Sequence, residues 1–159
     1  MMKYKFHISF FLLIAFTLYA LQGTDSSIIQ QNYDFNKYPA SIVKYKITAK
    51  GLKFTDGTAY FKTRIVAALK GNINFAGYCI FTSWGCGAAC QQSAIINTKT
   101  KKVIAGPASE AGYIFYPNSN LLISNPEIPS EPNSLRKTEI YLFECDSLRL
   151  LEIRDRKRE

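Results

Sequence analysis

The chain has 159 residues, with 20 basic and 12 acidic side chains and a net charge of +8 at pH 7. Its ten tyrosines, eleven phenylalanines and 47% hydrophobic content exclude an intrinsically disordered chain, because such a chain lacks the apolar surface that a core needs. The length fits one domain that can fold without depending on disulfide bonds.

The amino end has the three-part pattern of a secretory signal. Residues 1–7 contain Lys3 and Lys5 and no acid, residues 8–21 form an uncharged apolar run, and a polar stretch begins at Gln22. A bilayer core about 30 Å thick needs roughly 20 apolar residues in a helix, so this run is short for a permanent span. We therefore expect residues 1–23 to be a signal peptide that directs export to the periplasm or beyond.

The cleavage site is the less defined part of this signal. No small-x-small triplet precedes a cut after Ala20 or after Gly23, so an uncleaved signal that tethers the domain is the alternative to release. Loss of residues 1–23 removes Lys3 and Lys5 and lowers the net charge to +6. That charge favours an envelope or extracellular partner, including an anionic membrane surface. Nucleic acid is not expected, since no binding motif is present.

The mature chain has no histidine, because the single one, His7, lies in the signal. Ser-His-Asp and Cys-His hydrolases need an imidazole to carry the proton, and both classes are excluded. Histidine-ligated catalytic zinc is excluded for the same reason. We expect no cofactor and no metal.

Residues 24–40 predict a lead-in segment, and residues 41–159 a single α+β domain. Apolar and polar residues alternate over residues 43–47, which predicts a half-buried strand. Helical spacing over residues 59–70 predicts one main helix that packs on a sheet. Its apolar face consists of Phe61, Ile65, Ala68 and Leu69.

The rest of the chain predicts short strands joined by tight turns. The strands are expected at residues 78–84, 93–97, 102–104, 112–116, 121–124, 138–144 and 148–153. Residues 125–133 contain three prolines and predict an irregular loop. Short connections favour antiparallel pairing, so the expected fold is an antiparallel β-meander sheet with one helix on a face.

Four cysteines in an exported domain indicate two disulfides, for which three pairings are open. Cys86 and Cys90 are four residues apart, and the adjacent glycines permit a sharp turn, which favours a bridge between them. Cys79 would then pair with Cys145. A loop this short gains only about 2 kcal/mol from closure, so the bridge would mainly fix the shape of the turn.

The cysteine-glycine corner is also the candidate binding site. Trp84, Gly85, Gly87 and Gln91 are the candidate residues, since a concave run of amides there can bind an anion or carboxylate. The alternative is a rigid corner with no ligand. Redox catalysis is disfavoured because Cys-x-x-x-Cys follows a strand, and zinc binding because the cysteine spacing is irregular.

The centre of the chain has a recognisable order of segments. They are Asn74-Phe75-Ala76-Gly77, Trp84-Gly85-Cys86-Gly87 with Cys90-Gln91, and Ala94-Ile95-Ile96-Asn97 with Lys99-Thr100 and Lys102-Val103. Over roughly residues 59–153 the chain resembles a family of small exported bacterial proteins of unknown function. The resemblance implies a similar fold and an exported setting, and no activity. Tyr78 stands where that family usually has histidine, which favours a structural role for the position.

These features favour an exported, non-catalytic binding or structural module. The alternative is a histidine-free hydrolase of envelope polymers that uses paired carboxylates. A third hypothesis is a structural envelope protein held at the membrane by its uncleaved signal. The candidate acids for the hydrolase are Asp56, Glu110, Glu127, Glu131, Glu139, Glu144 and Asp146.

Overall fold

The computed structural model describes residues 33–43, 47–55, 57–127 and 136–155. The expected signal at residues 1–23 and most of the lead-in segment lie outside these residues. The chain divides into two compact units, Met1–Asp34 and Phe35–Glu159. The second unit carries every described helix and strand. In the described part of the chain, no helix has the length and hydropathy needed to span a bilayer.

The second unit contains eight described strands and one α-helix, α1. The helix is Lys62–Ala68, and a 3-10 turn at Thr58–Phe61 leads into it. The strands are β1 (Lys53–Phe54), β2 (Cys79–Gly87), β3 (Cys90–Asn97), β4 (Lys102–Ala105), β5 (Tyr113–Phe115), β6 (Leu121–Ser124), β7 (Thr138–Glu144) and β8 (Ser147–Arg154). The expected α+β class with one helix on a sheet face is confirmed.

The strands form two four-stranded sheets rather than one. Their orders are β1-β4-β3-β2 and β5-β6-β7-β8. The connection after β4 passes through Gly106 and Pro107 and leaves the first sheet, so β5 pairs with β6 and not with β4. Stacking two sheets gives each an apolar face to bury, which one long open sheet would leave exposed.

One pairing in the first sheet is parallel, which the meander did not predict. Lys53 of β1 lies opposite Lys102 of β4. The two strands pair although α1, β2 and β3 lie between them in the sequence. The strand expected at residues 43–47 falls partly outside the described residues, since 44–46 are among those not described. Its flanking residues Val43 and Ile47 are not in a strand.

Three layers bury two apolar clusters. Between the sheets lie Phe75, Ala76, Cys79, Phe81, Ile95, Ile104, Leu122 and Phe143. On the other face of the first sheet, Ile65 of α1 is fully buried against Trp84, Ala94 and Val103. The expected helix face therefore packs on the sheet, although the α-helix itself is shorter than residues 59–70. Its start is delayed because Gly57, with φ of 74°, turns the chain and Thr58 donates its hydroxyl to the Thr55 carbonyl.

The start of β2 is set by the turn from Asn74 to Cys79. Ala76 and Gly77 both have positive φ, of 49° and 75°. At Gly77 a Cβ would overlap the Ser41 backbone, so this position requires glycine. The turn aligns β2 so that Trp84 faces α1 and Phe81 faces the second sheet.

Candidate functional site

The Cys86–Cys90 disulfide lies at the exposed end of the β2–β3 hairpin. Its Cα atoms are 5.2 Å apart, and a bulge between Gly85 and Gly87 brings Cys86 into position. Gly87 has φ of 144°, which favours glycine, and it pairs with Cys90 across a two-residue turn. The bridge expected from the spacing is therefore present.

The other two cysteines are free thiols, so the expected Cys79–Cys145 bridge is not formed in the structure. Cys79 is fully buried in the cluster between the sheets. Cys145 is exposed in the β7–β8 turn, where its φ is 47°. Burial raises the pKa of the Cys79 thiol, and the nearby Asp146 carboxylate raises it further. Cys79 is thus held protonated and apolar in the core.

Trp84 forms the floor of a groove on the helix side of the first sheet. Its side chain is only 8% exposed, and its ring centroid lies 4.8 Å from that of Phe61. Its Nε1 donates a hydrogen bond of 3.3 Å to Oε1 of Gln92, the residue opposite it in the register. An indole N–H can only donate, so the amide oxygen must face it. The two N–H groups of Gln92 Nε2 have no partner among the described residues.

The groove has a volume of about 330 Å³ and opens to solvent. Tyr60, 91% exposed, stands at its rim, and Phe61 and Trp84 form its aromatic floor. Thr58, Gln92 and Gly106 also line the groove. None of the described residues that line the groove carries a formal charge.

A backbone edge supplies further polar groups to the groove. The last bond from β1 to β4 is donated by Thr55 N to Val103 O, at 3.1 Å, because the chain then turns away at Gly57. Ala105 is the next position on β4 that faces the same side. It is exposed, and it lies opposite Ala94, next to the hydrogen-bonded pair of Ser93 and Gly106. Bonded and non-bonded pairs alternate along an antiparallel ladder, so the N–H and C=O of Ala105 point away from β3, where no described residue bonds them. An unpaired donor and acceptor therefore adjoin the aromatic floor.

Gly106 keeps this edge open. Its N–H donates to Ser93 O at 2.9 Å, and a Cβ on it would overlap the Ser93 hydroxyl. That hydroxyl in turn donates to Pro107 O at 2.8 Å. The groove wall is thus fixed by backbone contacts that leave no room for a side chain at Gly106.

Of the four candidate binding residues, the structure places only Trp84 in the groove. Gly85 and Gly87 are exposed on the hairpin end. Gln91 exchanges backbone hydrogen bonds with Ser109, which ties the hairpin to the loop after β4. The expected concave run of amides is not formed, because β2 continues to Gly87 and successive amides of a strand point to opposite sides.

The sequence reasoning missed Tyr60, Gln92 and Ala105. The sequence does contain a signal for Tyr60. It is the residue before Phe61, so it lies off the apolar helix face on which Phe61 lies and is expected to be exposed. Gln92 and Ala105 gave no such signal. Their positions depend on register between strands, which is set by the whole sheet.

The candidate carboxylates that the structure describes lie outside the groove lining. Glu110 pairs with Arg136 at 3.1 Å, and Glu144 pairs with Arg149 at 3.0 Å. Glu139 accepts a hydrogen bond from the Tyr141 hydroxyl at 2.7 Å. None of these acids lines the groove.

Two further acids are described. Asp146 accepts hydrogen bonds from Asn97 Nδ2 and from the Thr100 hydroxyl, so it joins the β3–β4 turn to the β7–β8 turn. Glu127 is half-buried and also lies outside the groove lining. Asp56 and Glu131 are outside the described residues.

Tyr78 contacts both sheets, because it precedes β2 and its ring centroid lies 6.3 Å from that of Phe143 in β7. Lys99 Nζ lies 3.8 Å above its ring centroid, and the Thr98 hydroxyl donates to its carbonyl. Burial raises the pKa of its phenol, with smaller contributions from Cys79 and Asp146. The contacts are those of a packed structural residue.

A larger cavity, of about 730 Å³, lies by the carboxyl end of α1. Its described lining combines six aliphatic residues with Thr48, Lys70, Gly71 and Asn72; the aliphatic residues are Ile42, Val43, Ile47, Leu69, Ile73 and Ile80. No aromatic side chain is among these lining residues. The smaller groove beside Trp84 combines aromatic surfaces with unpaired polar groups and is the stronger candidate site.

No protein-family model, curated protein or solved structure matches this chain.

Proposed function

We propose that this chain is an exported, non-catalytic binding module whose ligand site is the groove beside Trp84. One observation carries the proposal: a groove with an aromatic floor and no charge among its described lining residues also presents free hydrogen-bonding groups at Gln92 and Ala105. Such a combination of apolar walls and a few polar groups is typical of small-ligand sites.

Export is supported by two separate features. Residues 1–23 have the pattern of a signal, and the Cys86–Cys90 disulfide suits an oxidising compartment. The partner is then an envelope or extracellular component, and the positive charge of the chain also favours contact with anionic membrane surfaces. Nucleic acid is not among the proposed partners.

Binding is favoured over catalysis by the chemistry of the lining. The described residues of the groove include no carboxylate, imidazole, amine or thiol. Hydroxyls do line the groove, but those of Thr58 and Ser93 each donate to a backbone carbonyl. No described lining residue supplies a general base that would activate them or the Tyr60 hydroxyl. The described lining therefore offers groups that orient a ligand and no activated nucleophile to transform it.

The test uses Trp84, the only tryptophan of the chain, as a site-specific fluorophore. The exported protein is titrated with a soluble, deproteinised fraction of bacterial envelope, and the emission of Trp84 is recorded. We expect a saturable change in the wild type and its loss in Tyr60→Ala. Leu150→Ala, which truncates an exposed apolar residue away from the groove, should retain the change.

Two results would contradict the proposal. One is the absence of any emission change with the envelope fraction. The other is an equal change in Tyr60→Ala and wild type, which would place the interaction outside the groove.

The fate of the signal is tested separately, by the intact mass of the exported protein. A mass that lacks residues 1–20 or 1–23 means a released module. The mass of the whole chain, recovered with the membrane fraction, means a tethered one.

A further inference from the structure

We infer that the groove beside Trp84 binds a neutral sugar ring, a pyranose unit of a glycan. This inference rests on the proposed binding function and names the ligand class. It is carried by three properties of the described lining: its lack of charge, its aromatic surfaces and its free hydrogen-bonding groups.

The uncharged lining favours a neutral ligand. Among the described residues, none that lines the groove is acidic or basic, so they would take a charged ligand from water without offering it a counter-charge. The described basic residues of the chain lie outside the lining. Phosphate, uronate and free amino acids are therefore poor fits to this groove.

The aromatic surfaces suit a ring with apolar faces. Tyr60 is 91% exposed at the rim, while Trp84 is held on the floor by Phe61 and Gln92. A pyranose presents its C–H groups on its faces and its hydroxyls around its edge. Stacking such a face on Tyr60 would remove apolar surface of both partners from water.

The free polar groups suit the hydroxyl edge of the same ring. Gln92 Nε2 offers two donors, and Ala105 offers one donor and one acceptor. A sugar hydroxyl both donates and accepts, so neighbouring hydroxyls can meet this mixed set. A purely apolar ligand would cover these groups without satisfying them, and burying an unsatisfied donor or acceptor is unfavourable.

The size and openness of the groove agree with a ring or two of a longer chain. About 330 Å³ lies at the small end of the range of roughly 300–1,000 Å³ usual for ligand sites. Because the groove opens to solvent, the rest of an oligosaccharide can continue beyond Tyr60. Both a soluble oligosaccharide and an insoluble polysaccharide have this chemistry.

The test titrates the exported protein with defined probes while Trp84 emission is recorded. The neutral probes are hexamers of α-1,4-glucose, β-1,4-glucose and β-1,4-N-acetylglucosamine. The comparison probes are a hexamer of galacturonate, which is acidic, and pentaalanine, which is a peptide. We expect at least one neutral hexamer to bind with a Kd below about 1 mM, and the comparison probes to leave the emission unchanged.

Two variants tie that binding to the groove. Tyr60→Ala removes the stacking surface, and Gln92→Glu keeps the acceptor for Trp84 Nε1 but replaces both amide donors with a charge. We expect each to weaken binding at least tenfold. Leu150→Ala should bind as the wild type does, and equal melting temperatures check that all variants are folded.

The outcomes separate this inference from the function on which it rests. If the envelope fraction changes Trp84 emission but no neutral hexamer does, a sedimentation assay with insoluble cellulose and chitin follows. Tyr60-dependent sedimentation supports a polymeric neutral glycan, and its absence overturns the sugar assignment while leaving a binding module. A response to galacturonate or pentaalanine in place of neutral sugars also overturns the assignment. If Trp84 emission changes with neither the probes nor the envelope fraction, both the sugar assignment and the binding function are contradicted.

Discussion

At the scale of single residues, the Asn74 side chain makes the hydrogen bonds to β2 that a neighbouring strand would otherwise make, since β2 is an edge strand. Its Oδ1 accepts from Phe81 N at 2.7 Å, and its Nδ2 donates to Phe81 O at 3.0 Å. A carboxamide carries a donor and an acceptor side by side, as a peptide group does. One side chain thereby satisfies an edge residue that would otherwise invite pairing with another chain.

Asn74→Asp tests this role with a near-isosteric change. The carboxylate keeps the acceptor for Phe81 N but loses the donor to Phe81 O, so a carbonyl is left unpaired beside a negative charge. We expect the free energy of unfolding to fall by about 1–3 kcal/mol, measured by urea denaturation. Asn72→Asp, an exposed change two residues away, is the control and should differ little from wild type. Equal stabilities of the two variants would show that the edge contact contributes nothing.

The free thiols give a second prediction at this scale. Cys145 is exposed, whereas Cys79 is buried and its pKa is raised. At pH 8 and without reductant, iodoacetamide should modify Cys145 in the native protein and Cys79 only after unfolding. Peptide mass spectrometry reads out both sites. A Cys79–Cys145 disulfide peptide, or equal labelling rates, would contradict the arrangement.

Residue identity alone could point to Trp84 but not to its partners in the groove. Trp84 was noticeable because it stands beside the cysteine motif. Gln92 meets it only because the β2–β3 register places the two residues opposite each other. Ala105 presents unpaired backbone groups only because β1 ends before it can pair with this residue. An alanine in the sequence gives no sign of this.

At the scale of elements, the disulfide lies at the exposed end of the β2–β3 hairpin, away from the buried part of the sheet. Residues 85–89 are exposed, and the bridge closes a loop with a sequence separation of only four. Cys86→Ser/Cys90→Ser should therefore lower the free energy of unfolding by no more than about 2 kcal/mol. Guanidinium denaturation measures this, and reduction of the wild type should give the same loss. A loss above about 4 kcal/mol would mean that the bridge supports the core rather than the hairpin end.

Most of the strands could be predicted because each has a local pattern between turn residues. Residues 121–124 and 138–144 have the expected bounds, and the helix face at Ile65 is buried as expected. The division into two sheets could not be predicted in this way. The local alternation of apolar and polar residues predicts where a strand lies. Which strand it pairs with depends on contacts between residues far apart in the sequence. The two-residue β1 is too short to have any pattern.

At the scale of the whole molecule, burial of ionisable groups makes stability depend on alkaline pH. The pKa values of Cys79, Tyr78, Tyr113 and Tyr141 are all raised, in each case with burial as the largest cause. The folded state thus favours the protonated forms. Above the ordinary pKa of each group the unfolded chain binds fewer protons than the folded one, so stability falls as pH rises.

We expect this fall to begin near pH 8.5, where an ordinary thiol titrates, and to steepen near pH 10, where tyrosine does. Cys79→Ala removes the thiol contribution, so its decline should start only near pH 10. The variant has a cavity and is less stable at every pH, so the quantity to compare is the slope of melting temperature against pH. Thermal melts from pH 7 to pH 11 give this slope for both proteins. Identical slopes between pH 8.5 and 10 would contradict the assignment to Cys79.

The parallel pairing of β1 with β4 has a consequence for the order of folding. The β2–β3–β4 meander closes short loops, whereas Lys53 must find Lys102 across nearly the whole first sheet and the helix. Because closing a long loop costs more entropy than closing a short one, we expect β1 to dock last. The groove lies where β1 ends, so partly folded chains would not possess it. A ligand of the proposed site would therefore bind only molecules in which β1 has docked, and would stabilise that docked state.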